Sequence, residues 1–346
     1  MMRLSFRCVF FLALGVALGA AVPASAGNIT FVCDSSITAD GPALCNYLNG
    51  TFAGIYNATF TNAKAKIYIQ YGSTSLGGSS QVINQVTYSQ YLTQLTAEST
   101  DTTAVHSLPS TEPSIFTGGN IGLTAALASM LGFSGVHGVT TGGVSCPIAN
   151  AGCYDGVITI SHSAPLWYRS LSGGTIPGGD YDFFAVVEHE TDEILGTISC
   201  IGTTAGLFNQ CGGTNLNQNN DAAAIDLFRY SAPGARDFFD TAAAYFSPNG
   251  GVTDTDGNQF NHAANGEDYT DFASTCTFVQ DAVGCAGHSF DIRTDGPGGT
   301  AGPEIAMLNA VGYDLTLPEP ASMLLFGSGL LGLASRARRK KKDRRN

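Results

Sequence analysis

Val186 to Gly196 reads VVEHETDEILG and brings together three groups able to do chemistry, His189, Glu190 and Glu193. An α-helix turns about 100° per residue, so residues four apart share a face. His189 and Glu193 would therefore project together, with Glu190 about a quarter-turn round. This is how an HExxH helix offers two ligands to one zinc ion while the glutamate after the first histidine stays free as a general base. Here Glu193 stands where the second histidine would be. A carboxylate oxygen binds zinc at about 2.0–2.2 Å, much as an imidazole nitrogen does, so the pair remains competent at the cost of a lower net charge at the metal. Gly196 then fits the longer HExxHxxG pattern, in which the helix stops and the chain brings round a further ligand. That further position is Ser199 rather than a histidine.

A third ligand must come from elsewhere. Asp226, on a short helix expected in AIDLFRYS, is the first candidate, with His262 or His288 in the Gly/Asp-rich segment as alternatives; His106, His137 and His162 read as surface or core histidines. The expected cofactor is zinc, with Glu190 as the catalytic base. Calcium is the second cation to weigh, because DTDGNQ (254–259) and NGEDYTD (265–271) are rich in oxygen donors. DTDGNQ lacks the closing glutamate of an EF-hand loop. The competing reading of the motif is a solvated acidic face, with Glu188, Glu190, Asp192 and Glu193 in water.

Several elements must position these residues. DFFAVVEHETDEIL predicts a helix with Asp182 as its cap, a broad apolar side, and Gly196 as a left-handed stop. AKIYIQYG (65–72) and YDGVITIS (154–161) predict strands. YSQYLTQLTAEST has helical spacing, and NIGLTAALASMLGF predicts a helix capped by Asn120 and closed by Gly132. DAAAIDLFRYSAPGARDFF predicts a short helix and a turn at Pro233–Gly234. AYFSPNGG predicts a strand and turn, and PEIAMLNAVGYDL (303–315) a closing helix. The expected fold class is α+β: residues 27–180 form a mixed sheet with helices, and 181–316 hold the motif helix and an irregular disulfide-bonded part.

Residues 1–26 have the layout of a secretory signal peptide, with Arg3 and Arg7, an apolar run and ASA at 24–26. Residues 317–346 hold Pro318-Glu319-Pro320, about fourteen apolar or small residues, and a basic cluster. The run is short for a stable span, which needs about 20 residues, so a transient membrane anchor is expected. Between the leader and the basic tail, six Lys and Arg face 27 Asp and Glu, a balance of about −21. No basic patch is left to neutralise phosphates, which excludes nucleic acid as a partner. Apart from Cys8 there are eight cysteines, an even number in an exported chain, which argues for disulfides. Cys33–Cys45, Cys146–Cys153, Cys200–Cys211 and Cys276–Cys285 is the simplest connectivity, one among the roughly 105 that eight cysteines allow.

The tail resembles the PEP-CTERM sorting signal of Gram-negative bacteria: PEP, a short hydrophobic stretch and an Arg-rich end, in that order. The resemblance implies a sorting protease as partner and an exported protein at the cell envelope surface or outside the cell. The stretches AKIYIQYG, DTTAVHSLPSTEP, YDFFAVVEHETDEILG, DLFRYSAPGARDF, AYFSPNGG and AMLNAVGYDL are similar, in the same order, to a PEP-CTERM-sorted family of metalloproteases predicted from an HExxE motif. It implies a zincin-like fold and makes Glu193 the family's own choice rather than a decayed histidine. The CIGTTAGLFNQCGG insertion and Thr191 depart from the pattern. The function expected is therefore an exported zinc-dependent endopeptidase acting on proteins or peptides. The alternative is a non-catalytic surface or biofilm-matrix protein that binds calcium or polysaccharide. A Ser/His/Asp hydrolase is weaker, since no G-x-S-x-G elbow is present.

Overall fold

Strands with alternating buried side chains build the sheet on which the motif helix rests. In a computed structural model of the chain, the described residues are 27–39, 42–113, 120–169, 174–201, 222–255, 257, 259–263, 267–273, 275–296 and 298–316. The principal sheet has four strands in the order Asn28–Cys33, Lys64–Gly72, Gly156–Ser161 and Ser79–Ser80. The first three are parallel, with Ile29 opposite Ala65 and Ile69 opposite Ile158; the short edge strand Ser79–Ser80 runs antiparallel to Gly156–Ser161. Ile67, Ile69, Ile158 and Ile160 belong to the main core. Tyr68 and Val157, one residue out of phase, join Val82 and Val139 in a smaller cluster on the other face.

The motif helix, Phe183–Leu195, forms as its sequence predicts. Asp182 accepts a hydrogen bond from Phe184 N at 3.0 Å, and Gly196 ends the helix at φ 130°. Phe183, Phe184, Val187, Ile194 and Leu195 bury themselves in the core. Gly156 lets the helix approach the sheet closely, because a Cβ there would stand 2.4 Å from Ile194. Helix Ala53–Thr59 packs alongside, where Tyr56 donates to Asp192 Oδ1 at 2.7 Å and Phe52, just before it, meets Phe184 edge-on at 5.1 Å.

Two local expectations are corrected. Asn120 does not cap a helix: Asn120–Leu123 is a strand, antiparallel to Asn84–Thr87 and parallel to Ala222–Ala223, and the helix is only Ala125–Met130, capped by Thr124. Pairing with distant strands outweighed the local helical pattern. The helix expected around Asp226 is a single 3-10 turn, Ile225–Phe228, followed by paired strands Arg229–Ala232 and Ala235–Arg236 about Pro233–Gly234. Helices Tyr88–Glu98 and Pro303–Val311 match their patterns, the first with a Thr87/Gln90 capping box, the second stopped by Gly312 at φ 124°.

The part after the motif helix is irregular and held by side chains. Phe260 and Phe272 stack at 5.4 Å, and the buried Arg229 guanidinium lies over Phe260 and donates to Tyr269 O. Disulfides join Cys33–Cys45, Cys146–Cys153 and Cys276–Cys285. Cys200 is also disulfide-bonded, while Cys211 lies outside the described residues. The structure is thus mixed α+β with several sheets, and the described residues up to Asp314 belong to one compact unit. The leader 1–26 and the tail 317–346, with its expected transmembrane stretch, lie outside the described residues.

Candidate metal centre

The helix does not present a solvated acidic face. Glu188 and Asp192 are fully buried, and Glu190 and Glu193 are 5 % and 8 % exposed. His189 Nε2 lies 3.7 Å from Glu193 Oε1 and 3.8 Å from Asp271 Oδ1, and one donor atom from each of the three falls within 4.8 Å of the others. Among the described residues this is the one group of three or more His, Cys, Asp or Glu that converges so closely. Bonds of about 2.1 Å at tetrahedral angles put neighbouring ligand atoms about 3.4 Å apart. The two separations from His189 Nε2 need to close by a few tenths of an ångström, and the carboxylate pair, within 4.8 Å, closes by turning its side chains, so the donor set fits a divalent cation.

Neighbouring groups aim each donor. His189 Nδ1 stands 3.0 Å from Val279 O. A carbonyl only accepts, so Nδ1 carries the proton and Nε2 faces the other ligands. Glu193 Oε2 accepts from Ser79 Oγ at 2.5 Å, which leaves Oε1 for the cation; Asp271 Oδ1 accepts from Gln280 Nε2 at 2.8 Å. The edge strand thus holds one ligand and the Cys276–Cys285 loop holds the other two.

The electrostatics are lopsided. Burial works against a charged His189, but the carboxylates of Asp271, Glu193 and Glu190 outweigh it and hold the imidazole pKa well above its ordinary value. Burial, with the charge of Glu193, pushes Glu190 well up. Asp271 is pushed up to about 7, again by burial first, with His189 opposing. Burial pushes Glu193 up too, but hydrogen bonding to His189 and Ser79 prevails and holds it below its usual range. Asp268, which accepts from Ser199 N and Thr270 N, is raised by burial and by the neighbouring Asp271 and Glu193. A cation would displace the His189 proton and offset the crowded carboxylates.

Glu190 borders a cavity of about 470 Å³. It is lined by Ser75–Gly77, by Ala185, Val186 and His189 of the motif helix, and by Phe278, Val279 and Ala282. Glu190 Oε2 is buried without a hydrogen-bond partner, and Oε1 lies so close to Gly77 that a Cβ there would be 2.4 Å away. The glutamate beside the first ligand is thus placed at the cleft rather than in the ligand set.

The structure brings His189, Glu190 and Glu193 together and adds Asp271. It does not bring in Asp226, whose oxygens accept from Ser199 Oγ at 2.7 Å, Ala223 N at 2.8 Å and Cys200 N at 3.0 Å. That buried carboxylate pins the chain leaving the motif helix. His262 is exposed and bonded at Nδ1 to its neighbour Phe260 O; His288, also exposed, stacks on Phe290 at the cavity edge. Asp271 closes the NGEDYTD segment, where oxygen donors suggested calcium, but nothing local ties it to a helix 78 positions upstream. In DTDGNQ, Asp254 Oδ1 accepts from Gly257 N at 3.2 Å, while Asp256 and Asn258 lie outside the described residues.

Among known proteins, the PEP-CTERM protein-sorting motif matches residues 316–340. The motif marks an exported protein that a sorting system recognises at its C-terminus and directs to the cell envelope. No curated protein and no solved structure matches the chain. Among the described residues no helix is long and apolar enough to cross a membrane.

Proposed function

We propose that this exported protein is a metal-dependent endopeptidase of the cell envelope. The observation that carries the reading is the convergence of His189, Glu193 and Asp271 beside a cleft bordered by Glu190, whose Oε2 is buried without a hydrogen-bond partner. The sheet supports a zincin-like arrangement: parallel strands, one antiparallel edge strand, and the motif helix packed beside that edge strand, which holds Glu193 through Ser79. Ser75–Gly77 and the Phe278–Gly284 segment both line the cleft and meet where Leu76 lies against Gly284, so a peptide would enter beside that contact.

Zinc is the cation the motif favours; when bound, it supplies acidity to a water molecule and polarises the scissile carbonyl. His189 Nε2, Glu193 Oε1 and Asp271 Oδ1 would hold it. Glu190 takes the proton of the attacking water at its unpaired oxygen and returns it to the departing amide nitrogen. Burial and the neighbouring Glu193 raise the Glu190 pKa, the direction in which a carboxylate becomes a stronger proton acceptor. Val279 O keeps the imidazole turned to the ligand set, and Ser79 does the same for Glu193.

The test pairs metal content with peptide hydrolysis. The purified exported protein should carry about one zinc per chain and lose hydrolysis on chelation. Glu190→Gln should lower kcat by about 10²–10⁴-fold with bound metal unchanged, because an amide cannot take the proton. Hydrolysis that survives Glu190→Gln, or a protein that retains calcium only, would sink the reading.

A further inference from the structure

Gln280 is fully buried and sits between two members of the ligand set. Its Nε2 donates to Asp271 Oδ1 at 2.8 Å and stands 3.4 Å from His189 Nε2. These are the separations of neighbouring ligand atoms on one cation, about 3.0 Å at octahedral and about 3.4 Å at tetrahedral angles for bonds near 2.1 Å. The amide head therefore stands at ligand spacing from two of the three donors, with its nitrogen towards them: a neutral amide nitrogen has no lone pair to give a metal, whereas its oxygen has two. That oxygen, Oε1, is buried with no hydrogen-bond partner. An orphaned buried acceptor costs about 1–3 kcal/mol.

We infer that Gln280 is a fourth protein ligand, its amide turned half about the Cγ–Cδ bond when the cation is bound so that Oε1 faces it. The inference rests on the metal reading above and adds to it a donor outside the motif. No backbone movement is required. Gln280 N donates to Glu304 Oε1 at 2.9 Å and Gln280 O accepts from Phe272 N at 2.7 Å, so both ends of the residue stay fixed while the head rotates. The half-turn carries the unpartnered oxygen to the cation and puts the NH2 in its former place. The donor set becomes one imidazole nitrogen, two carboxylate oxygens and one amide oxygen. Such an oxygen-rich set favours harder divalent ions more than a histidine-rich site does, and it leaves a fifth position for water at the cleft.

Affinities for Zn2+ and Co2+ measured on the exported protein by competition with a chromogenic chelator, together with the Co2+ visible spectrum, test the assignment. Gln280→Leu should weaken both metals by at least about tenfold and intensify the Co2+ bands as the coordination number falls. Gln280→Glu keeps an oxygen donor and should bind at least as tightly as the parent. If Gln280→Glu loses as much affinity as Gln280→Leu, the side chain acts as a hydrogen-bond donor to Asp271 and the assignment is overturned. Unchanged affinity and spectrum in both variants overturn it as well, while leaving the three-ligand site intact. A parent protein that binds neither metal overturns both readings. Gln280→Met, close to glutamine in shape, replaces the leucine variant if thermal unfolding shows that the latter does not fold.

Discussion

Burying Glu190, Glu193 and Asp271 around one imidazole creates a charge problem that the protein's own side chains answer only in part. Ser79 and His189 hold Glu193 ionised, but Asp271 and Glu190 are driven towards the neutral form by burial. A cation at the centre answers the rest, so the carboxylates that touch it should behave differently from those that merely stabilise the chain. Asp271→Asn should strip the metal while leaving the metal-free protein near its original stability, since an amide can still accept from Gln280. Asp226→Asn should do the reverse. The new NH2 can turn to the Ser199 hydroxyl, but the hydrogen bonds from Cys200 N and Ala223 N lose their charged acceptor and the buried Arg229 its strongest compensating charge, costing about 1–3 kcal/mol with metal stoichiometry unchanged. Metal analysis and thermal unfolding of the two variants separate these outcomes, and metal loss from Asp226→Asn with retention by Asp271→Asn would return the third position to Asp226. Glu193→Gln should likewise lose metal, whereas Glu193→His should keep it, since imidazole is a common zinc donor.

The motif helix carries most of the local information, and its cap, apolar side and glycine stop were readable at Asp182, Val187 and Gly196. What surrounds it was not, because non-local pairing placed it. The edge strand Ser79–Ser80 is only two residues long, too short for a pattern of alternation, yet it orients Glu193. The loop that positions His189 and Asp271 has no periodicity and owes its course to the Cys276–Cys285 closure and to the Phe260, Phe272 and Phe278 rings. Gly77, just before the edge strand, tests how tightly these elements meet. A Cβ there would stand 2.4 Å from Glu190 Oε1 and 2.6 Å from Val186 Cγ1. Gly77→Ala should therefore push the base off its position, lowering kcat by about 10²-fold with metal content unchanged, as a displacement near 1 Å does. Full activity in that variant would place the base elsewhere.

At the scale of the whole molecule, a strongly acidic chain with few basic residues buries several carboxyls with too little positive charge beside them to keep them ionised. Asp155 illustrates the consequence, since its oxygen accepts from Lys66 N at 2.7 Å while burial pushes its pKa up to about 6. A carboxyl whose pKa is higher folded than unfolded binds its proton more tightly in the native state. Its contribution to stability is complete below about pH 4 and is lost as pH rises through about 6. Glu304, fully buried on the closing helix, is raised by the same cause, so its contribution too is lost as pH rises. The metal-free protein should therefore be more stable in mild acid than at neutral pH. Asp155→Asn should flatten the fall between about pH 4 and 7, worth at most about 3 kcal/mol, because an amide accepts the same hydrogen bond without titrating. Denaturant unfolding of parent and variant across that range, in chelator, gives the comparison; an unchanged slope would mean that Asp155 ionises as freely in the fold as in the open chain. Export places the same molecule under a second test. The sorting motif at 316–340 spans the Pro-Glu-Pro triplet and the short apolar run, which at about fourteen residues falls below the roughly 20 needed for a durable span. If that run serves as an anchor, its length suits it to holding the chain only until it is sorted, and the basic cluster from Arg336 onward would orient it. The form recovered from the cell envelope should consequently lack residues 336–346 and begin near Gly27, with no free thiols among its eight remaining cysteines. Intact-mass measurement with thiol titration under denaturing, non-reducing conditions reads all three at once. A full-length basic tail on the envelope form would mean that the motif serves as a retained anchor and not as a signal for removal.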